Sequence, residues 1–232
     1  MKIAIIQPYF LPYIGYFQLI NAVDQFVIYD DVNFMKKKWI NRNNILIAKQ
    51  PSFFVVPLKK ISQNKLIKDV EIANDLNWKS KILKKVEIAY KKAPYFQKVF
   101  DLFESIINQN HILISELAFT SLKEVCLYLK ISTQLISSST IYRNSHLKSQ
   151  DRIIDICKKE GADHYINPIG GIDLYSKESF LNHQIQLNFL KSDLIAYQQF
   201  KNEFVPYLSI LDIIMFNDVE AIHNFLKCFQ LK

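Results

Sequence analysis

The stretch YDDVNFMKKKWINRNN, residues 29–44, is the densest run of groups able to do chemistry in the chain. Asp30 and Asp31 close an apolar segment, where paired carboxylates could accept a proton, bind a sugar hydroxyl or hold Mg²⁺. Lys36, Lys37, Lys38 and Arg42 add positive charge, Trp39 a stacking plane, and Asn41, Asn43 and Asn44 neutral donors and acceptors. Amides, an indole and a guanidinium within a dozen residues suit a sugar or base attached to phosphate. The competing reading is a charged turn ahead of a hairpin.

A second candidate loop, Gln7 to Tyr16, follows the apolar run Ile3–Ile6. Pro8 and Pro12 fix φ and remove donors, while Gly15 permits a close backbone approach. A helix starting here would offer free N–H groups to an anion, so strand, turn and helix together form a candidate phosphate cradle. Gln7, Tyr9, Pro12, Gly15 and Tyr16 are its expected substrate-binding residues. The layout is similar to that of nucleotidylyltransferases of the pantothenate synthetase type, whose His-x-Gly-His has its place taken by Tyr13-Ile14-Gly15-Tyr16. Tyrosine, with a pKa near 10, cannot collect phosphate charge as a cation at pH 7, although its hydroxyl can hydrogen-bond a phosphate.

The third loop, YINPIGGIDLY, holds the chain's only Gly-Gly. Gly170, Gly171 and Tyr175 are candidates here because adjacent glycines let backbone amides face a ligand. Near the C-terminus, SILDIIMFN places Ser209 and Asp212 three apart on one helical face, with Ser209 able to cap that helix. Asp212 must be paired or face a cleft, since an isolated buried carboxylate is very costly; Arg42 or a lysine is its expected partner. No P-loop, G-x-S-x-G or H-E-x-x-H pattern is present, and neither the three scattered cysteines nor the five histidines have zinc-ligand spacing.

The elements needed to position these loops are legible in the apolar pattern. Residues 2–7, Gln25–Tyr29, Gln134–Ile136, His164–Ile166 and Gln184–Leu190 read as strands. Helices are expected over 13–22, Ser149–Lys159 with Gly161 as cap, Leu208–Met215 and Val219–Phe229. Trp39–Ala48 and Ser52–Leu58 read as a hairpin around Pro51, and Trp78 to about Lys130 as three helices. The early strand–helix–strand succession implies a parallel sheet. The expectation is an α/β, Rossmann-like parallel sheet flanked by helices, with a local antiparallel hairpin and an inserted helical block. It forms a single domain, 1–232, within which 78–130 is a helical subdomain. Ligands of such sheets sit at the carboxyl ends of the strands, where all three loops fall.

Bulk properties bound the rest. Half of the 232 residues are hydrophobic and 22% are charged, enough for a packed core. No apolar window is long enough to span a membrane and no secretory signal is evident, so a cytoplasmic protein without a disulfide framework is expected. The net charge of +7 and pI near 9.1 suit an anionic partner such as a sugar diphosphate, tRNA or an anionic membrane surface.

Taken in order, QPYFLPYIGYFQLI, DDVNFMKKKWINRNNI, YKKAPYF, GADHYINPIGGIDLY and FVPYLSILDIIMFN resemble the WbqC-like family of bacteria. The resemblance runs from residue 7 to residue 217. It carries over Gln7, Pro8, Pro12, Gly15, Tyr16, Asp30, Asp31, Lys36, Trp39, Asn41, Arg42, Asn43, Gly171, Tyr175, Ser209, Asp212 and Asn217. The chain departs from the family at Asn167-Pro168, where Ser-Gly is expected. Family members are typically encoded with O-antigen and other surface-polysaccharide genes, which implies a transferase acting on a nucleotide-linked amino sugar, by N-acylation or aminoacylation such as glycyl transfer. In that reading Asp31 takes a proton from the attacking amine, Lys36 is catalytic beside it, Arg42 and the first loop hold the diphosphate, and the acyl donor, aminoacyl-tRNA among the candidates, is open. Two alternatives stand: glycosyl or nucleotidyl transfer with Mg²⁺ on Asp30-Asp31, and a non-catalytic nucleotide-sugar-binding or assembly protein. No DNA partner is implied.

Overall fold

The computed structural model describes residues 1–73, 77–201 and 203–232. Strands β1 (Lys2–Ile6), β2 (Gln25–Ile28), β5 (Gln134–Ile136), β6 (His164–Pro168), β7 (Gln186–Ser192) and β8 (Phe229–Leu231) form one sheet in the order β5-β2-β1-β6-β7-β8. All neighbours are parallel except β7 and β8. Taken in chain order, the five parallel strands lie 3-2-1-4-5, the doubly wound arrangement in which the order of adding strands reverses between β1 and β6 and a crevice opens at the carboxyl ends. The α/β reading therefore holds.

The continuous apolar strands are explained by burial on both faces. Ala4, Phe26, Ile28, Ile166 and Leu190 belong to one hydrophobic cluster, whereas their neighbours Ile3, Ile5, Val27, Tyr165 and Phe189 belong to another. The second face is covered by α5 (Ser149–Lys159) and α6 (Lys177–Leu181), which contribute Ile153, Cys157 and Phe180. The first face carries α1 (Ile14–Asn21), α7 (Ile210–Phe216), α8 (Val219–Phe225) and the helices α2 (Trp78–Tyr90), α3 (Phe96–Asn108) and α4 (Ile114–Tyr128). Val86, Phe103 and Leu122 from those last three share one core with Phe17 and Phe26. The hairpin is β3 (Arg42–Ile47) and β4 (Gln50–Val55), a separate antiparallel pair packed against α2. Among the described residues no helix is long and apolar enough to cross a membrane.

Several boundaries differ from expectation. The hairpin turns at Ala48-Lys49, both at positive φ, and not around Pro51, which lies within β4 opposite Leu46. The last helix stops at Phe225 because the buried Gln18 side chain donates to the carbonyls of Phe225 (2.9 Å) and Cys228 (2.8 Å), which frees 229–231 to pair with β7. Strand β7 begins at Gln186 because Gln184 lies at φ +60°, in a left-handed turn closing α6.

Gly161 ends α5 as expected: its φ is +67°, and Ala162 N–H returns to Cys157 O at 2.8 Å. A Cβ there would meet nothing within 4 Å, so only backbone strain opposes substitution. Gly161→Ala is expected to lower unfolding free energy by about 1 kcal/mol, read by denaturant titration with an unchanged m-value.

Candidate functional site at the carboxyl edge of the sheet

The loop after β1 passes through a costly backbone conformation. Leu11 is fully buried with φ +45°, a region that non-glycine residues seldom occupy. Its carbonyl is gripped from two sides, by Asn43 Nδ2 of β3 at 2.8 Å and by Ser209 Oγ at 2.7 Å. Next along, Pro12 O accepts the Ile210 N–H of α7 at 2.8 Å, and Ser209 N–H reaches Asn44 O at 2.8 Å. Phe10 N–H adds a bond to Trp39 O at 3.2 Å. The first loop, the 29–44 stretch and the C-terminal segment therefore meet at one place. Ser209 also caps α7 by accepting from Leu211 N–H, as its position suggested.

A pocket of about 240 Å³ opens beside this junction, lined by Tyr9, Pro12, Tyr13, Trp39, Asn43 and Tyr207. Trp39 and Tyr13 are each nearly two-fifths exposed, so their ring faces are available, while Asn43 is committed to backbone. Burial, then mutual repulsion, raises the pKa of Tyr9 (against Tyr13) and of Tyr13 (against Tyr207), which places the phenols together as neutral hydrogen-bonding groups at pH 7. Lys36, Lys37 and Lys38 lie exposed immediately before Trp39. Arg42 supports that turn: its guanidinium stacks 4.7 Å over Phe53, donates to Lys37 O, and Phe53 lies 6.2 Å from Trp39.

Gly15 serves this site differently from a phosphate cradle. A Cβ on it would fall 2.4 Å from the Tyr13 ring, so the glycine makes room for the pocket wall itself. Tyr16 is buried, with its hydroxyl on Gln7 O at 2.8 Å, and Tyr9 packs against it at 5.6 Å. Gln7 and Tyr16 thus brace the loop and do not line the pocket.

The remaining candidates lie elsewhere. Asp30 and Asp31 turn toward β5 and α5: Asp30 Oδ1 accepts from Ser138 Oγ (2.8 Å) and Ser139 N (3.2 Å), and Asp31 takes the Ser139 hydroxyl and forms a buried ion pair with Arg152. Burial raises the Asp30 pKa, with Ser138 and Ser139 opposing it. Arg152 also donates to Asn144 Oδ1 at 2.9 Å and stacks on Tyr29 at 4.9 Å. Asp31 is nearly buried, with one carboxylate oxygen engaged by the Arg152 guanidinium and the other by the Ser139 hydroxyl, so its charge is committed to the frame and is not presented to a substrate amine. The same occupancy makes the Asp30-Asp31 pair a poor fit for the Mg²⁺ of the nucleotidyl-transfer alternative. Among the described residues no group of three or more His, Cys, Asp or Glu is arranged to hold a metal.

Among the described residues no cation pairs with Asp212, which corrects the expected tie to Arg42 or a lysine. Its fully buried carboxylate accepts from Tyr90 OH at 2.7 Å, Tyr197 OH at 2.6 Å and Gln199 Nε2 at 2.7 Å. Burial raises its pKa despite these donors. Gln199 in turn holds Val205 N–H at 2.7 Å, which fixes the segment presenting Tyr207. Gly170 and Gly171 lie in a 3₁₀ turn, Ile169–Leu174, where a Cβ on Gly171 would meet Asn167 Nδ2 at 2.1 Å. Tyr175 packs edge-on to Tyr165 at 5.8 Å, Asn41 holds Val56 O at 2.8 Å, and Asn217 closes α7 through Ile213 O at 2.9 Å. These are packing and capping roles.

The sequence reading missed Tyr207, Arg152 and the pair Tyr90 and Tyr197. Arg152 left a signal, a charge directly before Ile153-Ile154 on an otherwise amphipathic helix. Tyr207 lay inside the FVPYLSILDIIMFN stretch, but nothing local aimed it toward residue 13.

Fold and site together define a doubly wound α/β protein with an aromatic pocket at the carboxyl edge of its sheet. The chain belongs to the WbqC-like protein family, which it matches over residues 7–224. It is 30% identical to an uncharacterized protein of Mycobacterium tuberculosis (strain ATCC 25618 / H37Rv) over 223 residues, 95% of each chain. No solved structure matches it.

Replacing Arg152 by Met is expected to cost about 3–5 kcal/mol, because it strands Asp31 in the interior. The double variant Asp31→Leu/Arg152→Met is expected to recover part of that loss. Urea unfolding of both measures it.

Proposed function

We propose that this protein is a transferase of bacterial surface-polysaccharide biosynthesis that binds a nucleotide-linked amino sugar in the Tyr9–Tyr13–Trp39–Tyr207 pocket and acylates or aminoacylates the sugar amine. The observation that carries the reading is the composition of that pocket: aromatic faces and phenol hydroxyls, with three exposed lysines directly before Trp39. Flat rings stack on the face of a base or the C–H face of a sugar, the hydroxyls bond its oxygens, and Lys36–Lys38 meet the diphosphate charge.

The amine attacks the acyl carbon of an ester or thioester donor, the bond from that carbon to the leaving oxygen or sulfur breaks, and the amine proton ends on the leaving group. With Asp31 bound to Arg152, Lys36 neutralises phosphate charge and the leaving group is the final proton acceptor. Pocket residues bind and orient the acceptor. A specific observation favours the second reading, a binding or assembly protein without turnover: among the described residues no carboxylate or imidazole lines the pocket.

Calorimetric titration with a uridine-diphosphate-linked amino sugar, and with uridine diphosphate alone, tests the reading. Both are expected to bind, the sugar nucleotide more tightly. Trp39→Ala is expected to weaken binding about 5- to 150-fold, the loss of one stacking partner. Gly15→Ala is expected to displace the Tyr13 ring and weaken binding more than tenfold, with little change in melting temperature. Failure of both ligands to bind overturns the proposal; binding without consumption of any acyl donor selects the second reading.

A further inference from the structure

The charge of the chain is unevenly placed. Residues 32–68 contain eight lysines and Arg42 and not one Asp or Glu. That leaves 20 basic and 22 acidic residues for the rest of the chain, a balance of −2, so the whole net charge of +7 comes from this one segment. Its middle, residues 42–55, builds the β3–β4 hairpin and brings Arg42 and Lys49 to it, and the helix packed on that hairpin, α2, adds Lys79, Lys81, Lys84 and Lys85 with Glu87 as its only acid.

The same face is also apolar. Phe53 and Val55, alternate residues of β4, are 44% and 45% exposed, and Ile88 of α2 is 59% exposed. Two grooves lie where α2 crosses the hairpin. One, of about 360 Å³, runs between Phe53, Val55 and Ile82 and is rimmed by Lys81 and Lys85. The other, of about 590 Å³, runs between Ile47, Ile88 and Phe200 and is rimmed by Lys49, Lys91 and Lys92. Lys49, Lys81, Lys91 and Lys92 form no ion pair among the described residues, whereas Lys59 and Lys68 are paired with Glu71 and Asp69.

We propose that this hairpin–α2 face docks the protein on an anionic lipid surface, with the lysines on headgroup phosphates and Phe53, Val55 and Ile88 inserted at the level of the first acyl carbons. A polybasic face alone would suit any polyanion; the exposed aliphatic Val55 and Ile88, together with a Phe53 ring already stacked by the Arg42 guanidinium, favour lipid over nucleic acid, whose bases call for free aromatic stacking planes. No helix need cross the bilayer for this, and the association is reversible and salt-sensitive.

Co-sedimentation with vesicles of phosphatidylcholine containing 30% phosphatidylglycerol, against pure phosphatidylcholine, tests it. The full chain is expected to bind the anionic vesicles and not the neutral ones, and to be released by 0.5 M salt. Each removed lysine is expected to weaken partitioning about fivefold, so Lys49→Glu/Lys91→Glu/Lys92→Glu reduces it by at least about a hundredfold. Phe53→Ser/Ile88→Ser is expected to weaken it at constant charge. Both variants change exposed residues only, and unchanged melting curves confirm that they fold. Absence of binding to anionic vesicles at low salt, equal binding by the charge-reversed variant, or a preference for transfer RNA or polyglutamate over the vesicles in direct competition each overturns the proposal.

Discussion

The bonds on the Leu11–Pro12 carbonyls are the constraint on which the site depends. A buried leucine at φ +45° stores on the order of 1–3 kcal/mol of strain, and it persists because Asn43, Ser209 and the Ile210 N–H take up carbonyls that would otherwise be buried without partners. The strained bend sends the chain from the end of β1 across to α7 and sets Tyr9, Pro12 and Tyr13 along one wall. Trp39 is drawn to the same pocket by the bond from Phe10 N–H to its carbonyl. Three segments remote in sequence are thus held at one point by a few short hydrogen bonds.

Two buried carboxylates extend that logic in different ways. Asp31 is balanced by a guanidinium from α5, which locks the end of β2 to the far side of the sheet. Asp212 is surrounded by phenols and an amide, which solvate it without a counter-charge and immobilise the loop that carries Tyr207. Buried charges are tolerated only with such partners, and here the partners connect elements that apolar packing alone would let slide. Neither carboxylate lines the pocket; both fix the frame around it.

How much of this could be read from residues alone follows from the range of each interaction. The parallel strands were legible because burial on two faces makes them continuous apolar runs, and α5 because Gly161 marks its end. The edge strand β8 was not, since the cause of its formation, Gln18 capturing the carbonyls of Phe225 and Cys228, spans more than 200 residues. Tyr9, Pro12, Trp39 and Asn43 were recognisable by chemistry and do line the pocket. The role of Gly15 as a berth for Tyr13, the Arg152 partner of Asp31 and the phenol shell of Asp212 all depend on which side chain arrives from elsewhere. Local pattern carries no such information.

The account rests on Trp39 being a wall of a ligand pocket, and the chain's two tryptophans allow a direct test. In protein labelled with 5-fluorotryptophan, ¹⁹F NMR gives one resonance for Trp39 and one for Trp78, assigned with Trp39→Phe. Titration with a uridine-diphosphate-linked amino sugar is predicted to shift the Trp39 resonance saturably while Trp78, which lies on the separate hairpin–α2 groove, stays in place. Binding that moves Trp78 and leaves Trp39 unchanged would contradict the account.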